Sequence, residues 1–330
     1  PRYIFTHLSK NFKELFNDDD LDLLDYLDDD GQSIEPKFYV PTLPIILING
    51  ACGIGTGFST DIPCLNPDDI KDRLLRLVED EDSDIEELTP WYKGFTGTVK
   101  KVEENKWTAH GIYTIKANVI TVTELPVGTW TEDYKTFLDK LETENTIYGY
   151  KNMSTETNVH FEIKMPLETV YEWKDNHEIE KKLKLVSHIS AKNMYVFNEK
   201  NEIVKMESPE EIIYHFWRIR NEYYIKRKDN VVNKLKKELD IITAKINFVN
   251  DVIDENIKVF RQKLTYINKQ LEDKKYIKLE NSYTYLTDMK IHTFSEDTLE
   301  KLMKKQKDTQ EAYTKISGYK LKDFWMDDIN

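Results

Sequence analysis

The chain has 330 residues, 39% of them hydrophobic and 32% charged, with a formal net charge of −13. That mixture is foldable and longer than one ordinary core sustains, which predicts two or three subdomains. It excludes a bilayer-crossing segment, since no run approaches the roughly 20 apolar residues required, and the acid excess by itself argues against nucleic acid as a partner.

Taken in chain order, the first segment, PRYIFTHLSKNFKELF, has no apolar h-region and reads as the inside of a longer chain. Its apolar residues Tyr3, Ile4, Leu8, Phe12, Leu15 and Phe16 have helical spacing, which predicts a helix starting near Tyr3. The acidic stretch NDDDLDLLDYLDDD follows as a solvated loop with a short helix around Leu21 to Tyr26. Pro36, Pro41 and Pro44 then favour extended chain through EPKFYVPTLPIILING. Asn66 as N-cap, Pro67 at the first helical position and acids in the first turn predict a helix over NPDDIKDRLLRLV.

From about residue 91 the pattern changes. GFTGTVKKV, KWTAHGIYTIK, VITVTELP, NVHFEIKM, NMYVFN and EIVKM read as strands and WTEDYKTFLDKLET as a helix, giving an α+β unit over about 90 to 207 with its own core. Ser208-Pro209 opens a third region. Leu235, Leu239, Ile242, Ile246, Val249, Ile253 and Ile257 recur by three and four, with no proline or glycine from Glu210 to about Leu279, so a long helix is predicted there. A returning helix spans about Glu296 to Ile316, its seam diluted by Gln306 and Thr309, and Gly318 ends it. The pattern predicts an antiparallel coiled-coil arm with a small tip, and periodicity alone equally allows a stripe that is simple core packing.

INGACGIGTGFST (48–60) holds four of the eleven glycines. A dinucleotide fingerprint would need glycine where Phe58 or Thr60 stands, and no lysine follows to complete a phosphate loop, so the phosphate-cradle reading is weak. Two alternatives stay open: a tight loop between packed segments, or a mount for Ile54 as a wedge that pushes between base pairs. The aspartate runs do not match a calcium loop, and no metal site is expected in the chain. Cys52 and Cys64 have no CxxC spacing, which argues for a reducing compartment and against a zinc knuckle or disulfide scaffold. Basic residues gather at Lys226-Arg227-Lys228 and around Lys234, leaving room for a basic surface on an acidic chain. Any one of nineteen tyrosines is by default a core or surface residue. Tyr3, a poor nucleophile with an ordinary pKa of about 10, becomes useful on phosphorus only when a neighbouring cation such as Arg2 steadies the phosphate and a base or metal assists.

PRYIFT, PIILINGACGIGTGFST, WYKGFTGTV and ELPVGTWT together resemble the breakage-reunion region of eukaryotic-type and viral DNA topoisomerase II, a type IIA family. Weaker similarity continues in order through KLKLVSHISAKNMYVF, FWRIRNEYYIKRK, SYTYLTDMKIHTFSEDTLEKL and LKDFWMDDI. The resemblance implies that Tyr3 is the DNA-cleaving nucleophile, that Arg2 supports the scissile phosphate, and that Ile54 intercalates in the DNA from a loop containing Gly53 and Gly55. Cys52 stands where the family usually has an acid.

The implied fold is α+β. Residues 1–90 would be the end of a winged-helix domain with its link to a tower, 91–207 the mixed α/β tower, and 208–330 the coiled coil with a dimerisation tip at its gate. The implied partners are double-stranded DNA and a second copy of the chain, with no membrane. Mg2+ and ATP would serve the complete enzyme from ATPase and TOPRIM regions outside this chain, which reads as a fragment. A nuclear location is implied for a cellular form, and a host-cytoplasmic or virion location for a viral one. The residues alone leave a rival open: a non-catalytic dimeric coiled-coil scaffold whose acidic surface binds a basic protein partner.

Overall fold

The computed structural model describes residues 7–10, 12–80 and 87–329, which divide into two compact units. The first comprises Pro41–Ile219. At its centre is an antiparallel four-stranded sheet in the order Ile112–Lys116, Val119–Glu124, Phe161–Lys164, Gly149–Asn152. The period of two in VITVTE sends Ile120 and Val122 to one face, where Phe161 and Ile163 join them. Helix Thr131–Thr143 covers that face with Tyr134, Leu138 and Leu141, spaced by four and three, and helix Leu167–Asp175 adds Val170 and Trp173. A second, three-stranded sheet runs Val186–Ser190, Lys106–His110, Thr98–Glu103. Two hairpins complete the unit: Ala51–Ile54 with Ser59–Ile62, and Met194–Phe197 with Ile203–Met206. Helix Pro67–Glu79 starts where expected, its Asn66 side chain accepting from the Asp68 N–H.

The second unit takes residues up to Val40 and Arg220–Asp328. Helix Glu296–Gly318 runs antiparallel to the long helix Pro209–Ile253: Lys228 Nζ meets the Tyr319 carbonyl at 2.6 Å, and further along Lys305 meets Glu238 at 2.7 Å. The polar interruption in the seam is satisfied internally, because Gln306 Nε2 donates to Thr243 Oγ1 at 2.7 Å. Beyond the arm lies a small core of Phe248, Ile257, Leu271, Tyr283 and Leu286. The chain is thus α+β with a coiled-coil arm, and no described helix is long and apolar enough to cross a membrane.

Four expectations need correction. The long helix ends at Ile253, not near Leu279, because Glu255 takes a left-handed backbone (φ 57°) and turns Ile257 into the tip core. Among the described residues the first helix is Phe12–Leu15, and Leu8 ahead of it is exposed and not helical; the expected start at Tyr3 lies outside the described residues. Residues Ile45–Asn49 are helical although Pro41 and Pro44 precede them, since a proline ahead of a helix removes no helical hydrogen bond. The acidic stretch is not all solvated loop. Its helix is Asp18–Leu21, capped by Asn17, and Tyr26–Asp29 and Gln32–Pro36 form a hairpin turned by Asp30 (φ 51°) and Gly31 (φ 82°).

Asp20 from that stretch is buried in a charged quartet with Arg220, Arg227 and Asp328. Arg220 Nη1 donates to Asp20 at 2.6 Å and its Nη2 to Asp328 at 2.8 Å; Arg227 Nε donates to Asp20 at 2.7 Å and its Nη1 to Asp328 at 3.0 Å. Tyr224 donates its hydroxyl to Asp328 at 3.0 Å, and its ring lies under both guanidinium groups. Two carboxylates and two guanidinium groups balance, which is the condition for burying four charges.

Candidate functional site

The glycine-rich stretch folds as a hairpin that presents one residue. Helix Ile45–Asn49, anchored by the fully buried Leu47, leads into Gly50 (φ 66°). A Cβ at Gly50 would lie 2.8 Å from the Ile62 carbonyl oxygen and 2.9 Å from Cys64 Sγ, so glycine is required by both conformation and space. The strands then pair from Ala51 with Ile62 to Ile54 with Ser59, and the Gly55 N–H closes the loop on the Phe58 carbonyl at 2.7 Å. Gly57 (φ 83°) makes the turn.

Gly53 and Gly55 differ from these two. Neither has a positive φ, a Cβ on Gly53 would meet nothing within 4 Å, and one on Gly55 would meet only the Phe58 oxygen at 3.7 Å. The chain itself therefore does not require glycine on either side of Ile54. A glycine in a strand that its own fold does not need marks close approach by something else. Ile54 between them is 94% exposed, which forgoes the roughly 1.5–3 kcal/mol that burial of such a side chain brings.

The second hairpin stands beside this one. Phe58 packs on Tyr195 with ring centroids 5.6 Å apart, and the exposed side chains of Phe197 and Ile203 complete an apolar cleft of about 420 Å³ with Ile54. NMYVFN is predicted as a strand, with no site role attached to it. Its period of two, which puts Tyr195 and Phe197 on one face, was the available signal.

The structure thus places Gly53, Ile54 and Gly55 together at one hairpin. Arg2 and Tyr3 lie outside the described residues. Cys52, exposed, and Cys64 are both free thiols, and burial raises the Cys64 thiol above its ordinary range. Nearby Tyr92 is pushed up to about 12, by burial and then by Cys64 and Asp61. Among the described residues no group of three or more His, Cys, Asp or Glu side chains is arranged to hold a metal ion.

A second exposed apolar surface lies at the end of the arm. Phe260 and Ile291 are 82% and 91% exposed, and with Ile253 and Leu264 they border a cleft of about 760 Å³. A contiguous apolar patch of this kind on a charged protein marks an interaction surface.

Comparison with known proteins follows the same lines. The family of the A-type subunits of DNA gyrase/topoisomerase IV matches residues 1–330. The chain is 31% identical to the mitochondrial DNA topoisomerase 2 of Dictyostelium discoideum, covering 99% of this chain and 26% of that protein. It is 38% identical to DNA topoisomerase 2 of Arabidopsis thaliana over 83% of this chain and 19% of the relative. For DNA topoisomerase 2 of invertebrate iridescent virus 6 the identity is 33%, over 100% of this chain and 29% of the relative. The chain therefore spans less than a third of each of these three relatives. Among solved structures, the DNA-binding, cleavage and re-ligation domain of Plasmodium falciparum topoisomerase II superposes with a TM-score of 0.87 at 30% identity, over 99% of this chain and 48% of that one. With the match running the full length and the fold agreeing, the chain belongs to the DNA gyrase/topoisomerase IV family and groups with the eukaryotic and viral type II DNA topoisomerases.

Proposed function

We propose that this chain is the DNA-cleaving part of a type II topoisomerase that cuts and reseals both strands of a duplex and passes a second duplex through the break. Two copies form the gate. The Tyr3 hydroxyl oxygen of each copy attacks a backbone phosphorus and the bond to the 3′ sugar oxygen breaks, while Arg2 supports the phosphate. This leaves a 5′-phosphotyrosyl ester and a free 3′ hydroxyl that takes up, in net terms, the proton the phenol gives up. The ester conserves the energy of the broken bond, so resealing needs no external source. Mg2+ and ATP would be held by regions outside this chain, where the metal would supply charge stabilisation at the phosphate and the nucleotide the energy for strand passage. Residues 91–207 serve as the tower beside the bent duplex.

The observation that carries this reading is Ile54, exposed on a hairpin between two glycines that the fold does not need. An apolar side chain so mounted enters a base step and offsets part of the cost of bending, which is of order 1–6 kcal/mol for a duplex site of roughly 20–30 base pairs bent by about 40–90°. The family relationship favours it over a non-catalytic scaffold. Ile54→Ala is expected to lower DNA cleavage by about tenfold or more, a loss of about 1.4 kcal/mol, with the fold intact by circular dichroism. Cleavage at the parental level in that variant would overturn the assignment.

The tip surface around Phe260 and Ile291 serves as the second dimer contact. Across a two-fold axis each substitution counts twice, so Ile291→Asp is expected to weaken dimerisation about a hundredfold in sedimentation velocity. An unchanged dimer would move the contact elsewhere.

A further inference from the structure

A wedge that pushes into stacked bases meets a restoring force, and a two-stranded hairpin alone is only marginally stable in water. The glycine hairpin does not stand alone. Strand Ser59–Ile62 lies against strand Met194–Phe197, and three of its successive residues bond to that strand or to Asn193 just ahead of it. Asn193 Nδ2 donates to Ser59 Oγ at 2.9 Å, the Tyr195 N–H donates to Thr60 Oγ1 at 3.1 Å, and the Asp61 N–H donates to the Asn193 carbonyl at 2.7 Å. The Phe58 and Tyr195 rings pack over the same seam.

The second hairpin is itself held at its far end. Its turn is closed by Asn198, whose Oδ1 accepts from the Lys200 and Glu202 N–H groups. Glu199 on that turn reaches the first turns of the long helix, 3.0 Å from Arg218 Nη2 and 3.2 Å from His215 Nε2. The wedge therefore rests on a hairpin, and the hairpin on a helix.

We infer that the hairpin Met194–Phe197/Ile203–Met206 is a buttress for Ile54, with Thr60 and Asn193 as the positioning residues that transmit the load. This rests on the reading of Ile54 as a DNA wedge. Thr60 is the sharpest point of the device. Its hydroxyl accepts a bond from a strand more than a hundred residues away in sequence, and its side chain is not part of the wedge tip. Valine keeps the shape and β-propensity of threonine but removes the acceptor; serine keeps the acceptor.

The test is resonance energy transfer on an end-labelled duplex bound by the full-length protein, with affinity measured alongside. Thr60→Val and Asn193→Ala are each expected to lower the bent fraction at least threefold while duplex affinity changes less than twofold, and Thr60→Ser to retain bending. A general loss of folding would lower affinity as well and would not be rescued by serine. Combined with Ile54→Ala, Thr60→Val should add nothing further, because a buttress has no work without its wedge. If Ile54→Ala leaves bending unchanged, the wedge reading is wrong and the buttress falls with it. If Ile54→Ala abolishes bending but Thr60→Val and Asn193→Ala do not alter it, the wedge stands and the buttress is overturned.

Discussion

Tyr3→Phe is expected to abolish covalent DNA adducts while leaving duplex affinity within about twofold of the parent. The phenyl ring keeps the volume and packing of tyrosine and lacks only the oxygen that would bond to phosphorus. Nucleophilic catalysis has no substitute when its nucleophile is absent, so the loss should exceed 10⁴-fold, at the detection limit of the assay. Arg2→Ala keeps the nucleophile and removes a charge-assisted donor to the phosphate, and losing one such donor costs about 10²–10³-fold in comparable sites. The two variants are thus ordered. End-labelled duplex is incubated with the full-length protein and Mg2+, quenched with detergent, and scored for protein-linked strands. Adducts persisting in Tyr3→Phe would remove Tyr3 from the mechanism; Arg2→Ala at the parental level would remove Arg2 alone.

The second large effect concerns stability. Asp20→Ala leaves Arg220 and Arg227 buried with one carboxylate between them, and removing one member of a buried ionic group typically costs about 3–5 kcal/mol. The neighbouring Asp22 makes an ion pair with Lys234 at the surface, and Asp22→Ala should be nearly silent because water replaces the lost partner. Urea unfolding of the two variants separates these cases by their midpoints at unchanged slope. A loss at Asp20 no larger than at Asp22 would mean that the quartet is held together by the packing around Tyr224 and not by its charges.

Much of the central sheet unit was legible because each strand carries its own signal. VITVTE and NVHFEIKM alternate, and WTEDYKTFLDKLET repeats by three and four, so burial follows from local pattern. What failed was information held elsewhere in the chain. The end of the long helix at Ile253 has no proline or glycine to announce it; it is set by Ile257 finding a place among Phe248, Leu271 and Leu286. The hairpin at 26–36 did have a local signal, Asp30-Gly31, within a stretch whose acidity suggested only solvent. Asp20 was hidden in the same way, since nothing in DDD distinguishes a buried carboxylate from its exposed neighbours until the arginines arrive some 200 positions later in sequence.

The candidate site divides similarly. Ile54 was visible because glycine on both sides of a large apolar residue is rare in a core strand. Its supports, Thr60, Asn193 and Glu199, are ordinary polar residues whose roles exist only through pairings across more than a hundred residues or through an anchoring helix. The glycines also needed sorting by geometry. Gly50 and Gly57 serve the fold, and Gly53 and Gly55 are left to serve whatever approaches Ile54.

Arg220 and Arg227 are seven residues apart, two turns along one face of the same helix, and both grip Asp20. Such a helix is keyed like a shaft. It cannot rotate about its own axis without dragging Asp20, which lies seventeen positions after Tyr3 in the sequence. A rotation of the helix about its axis therefore acts directly on Asp20 and on the short helix Asp18–Leu21 that carries it.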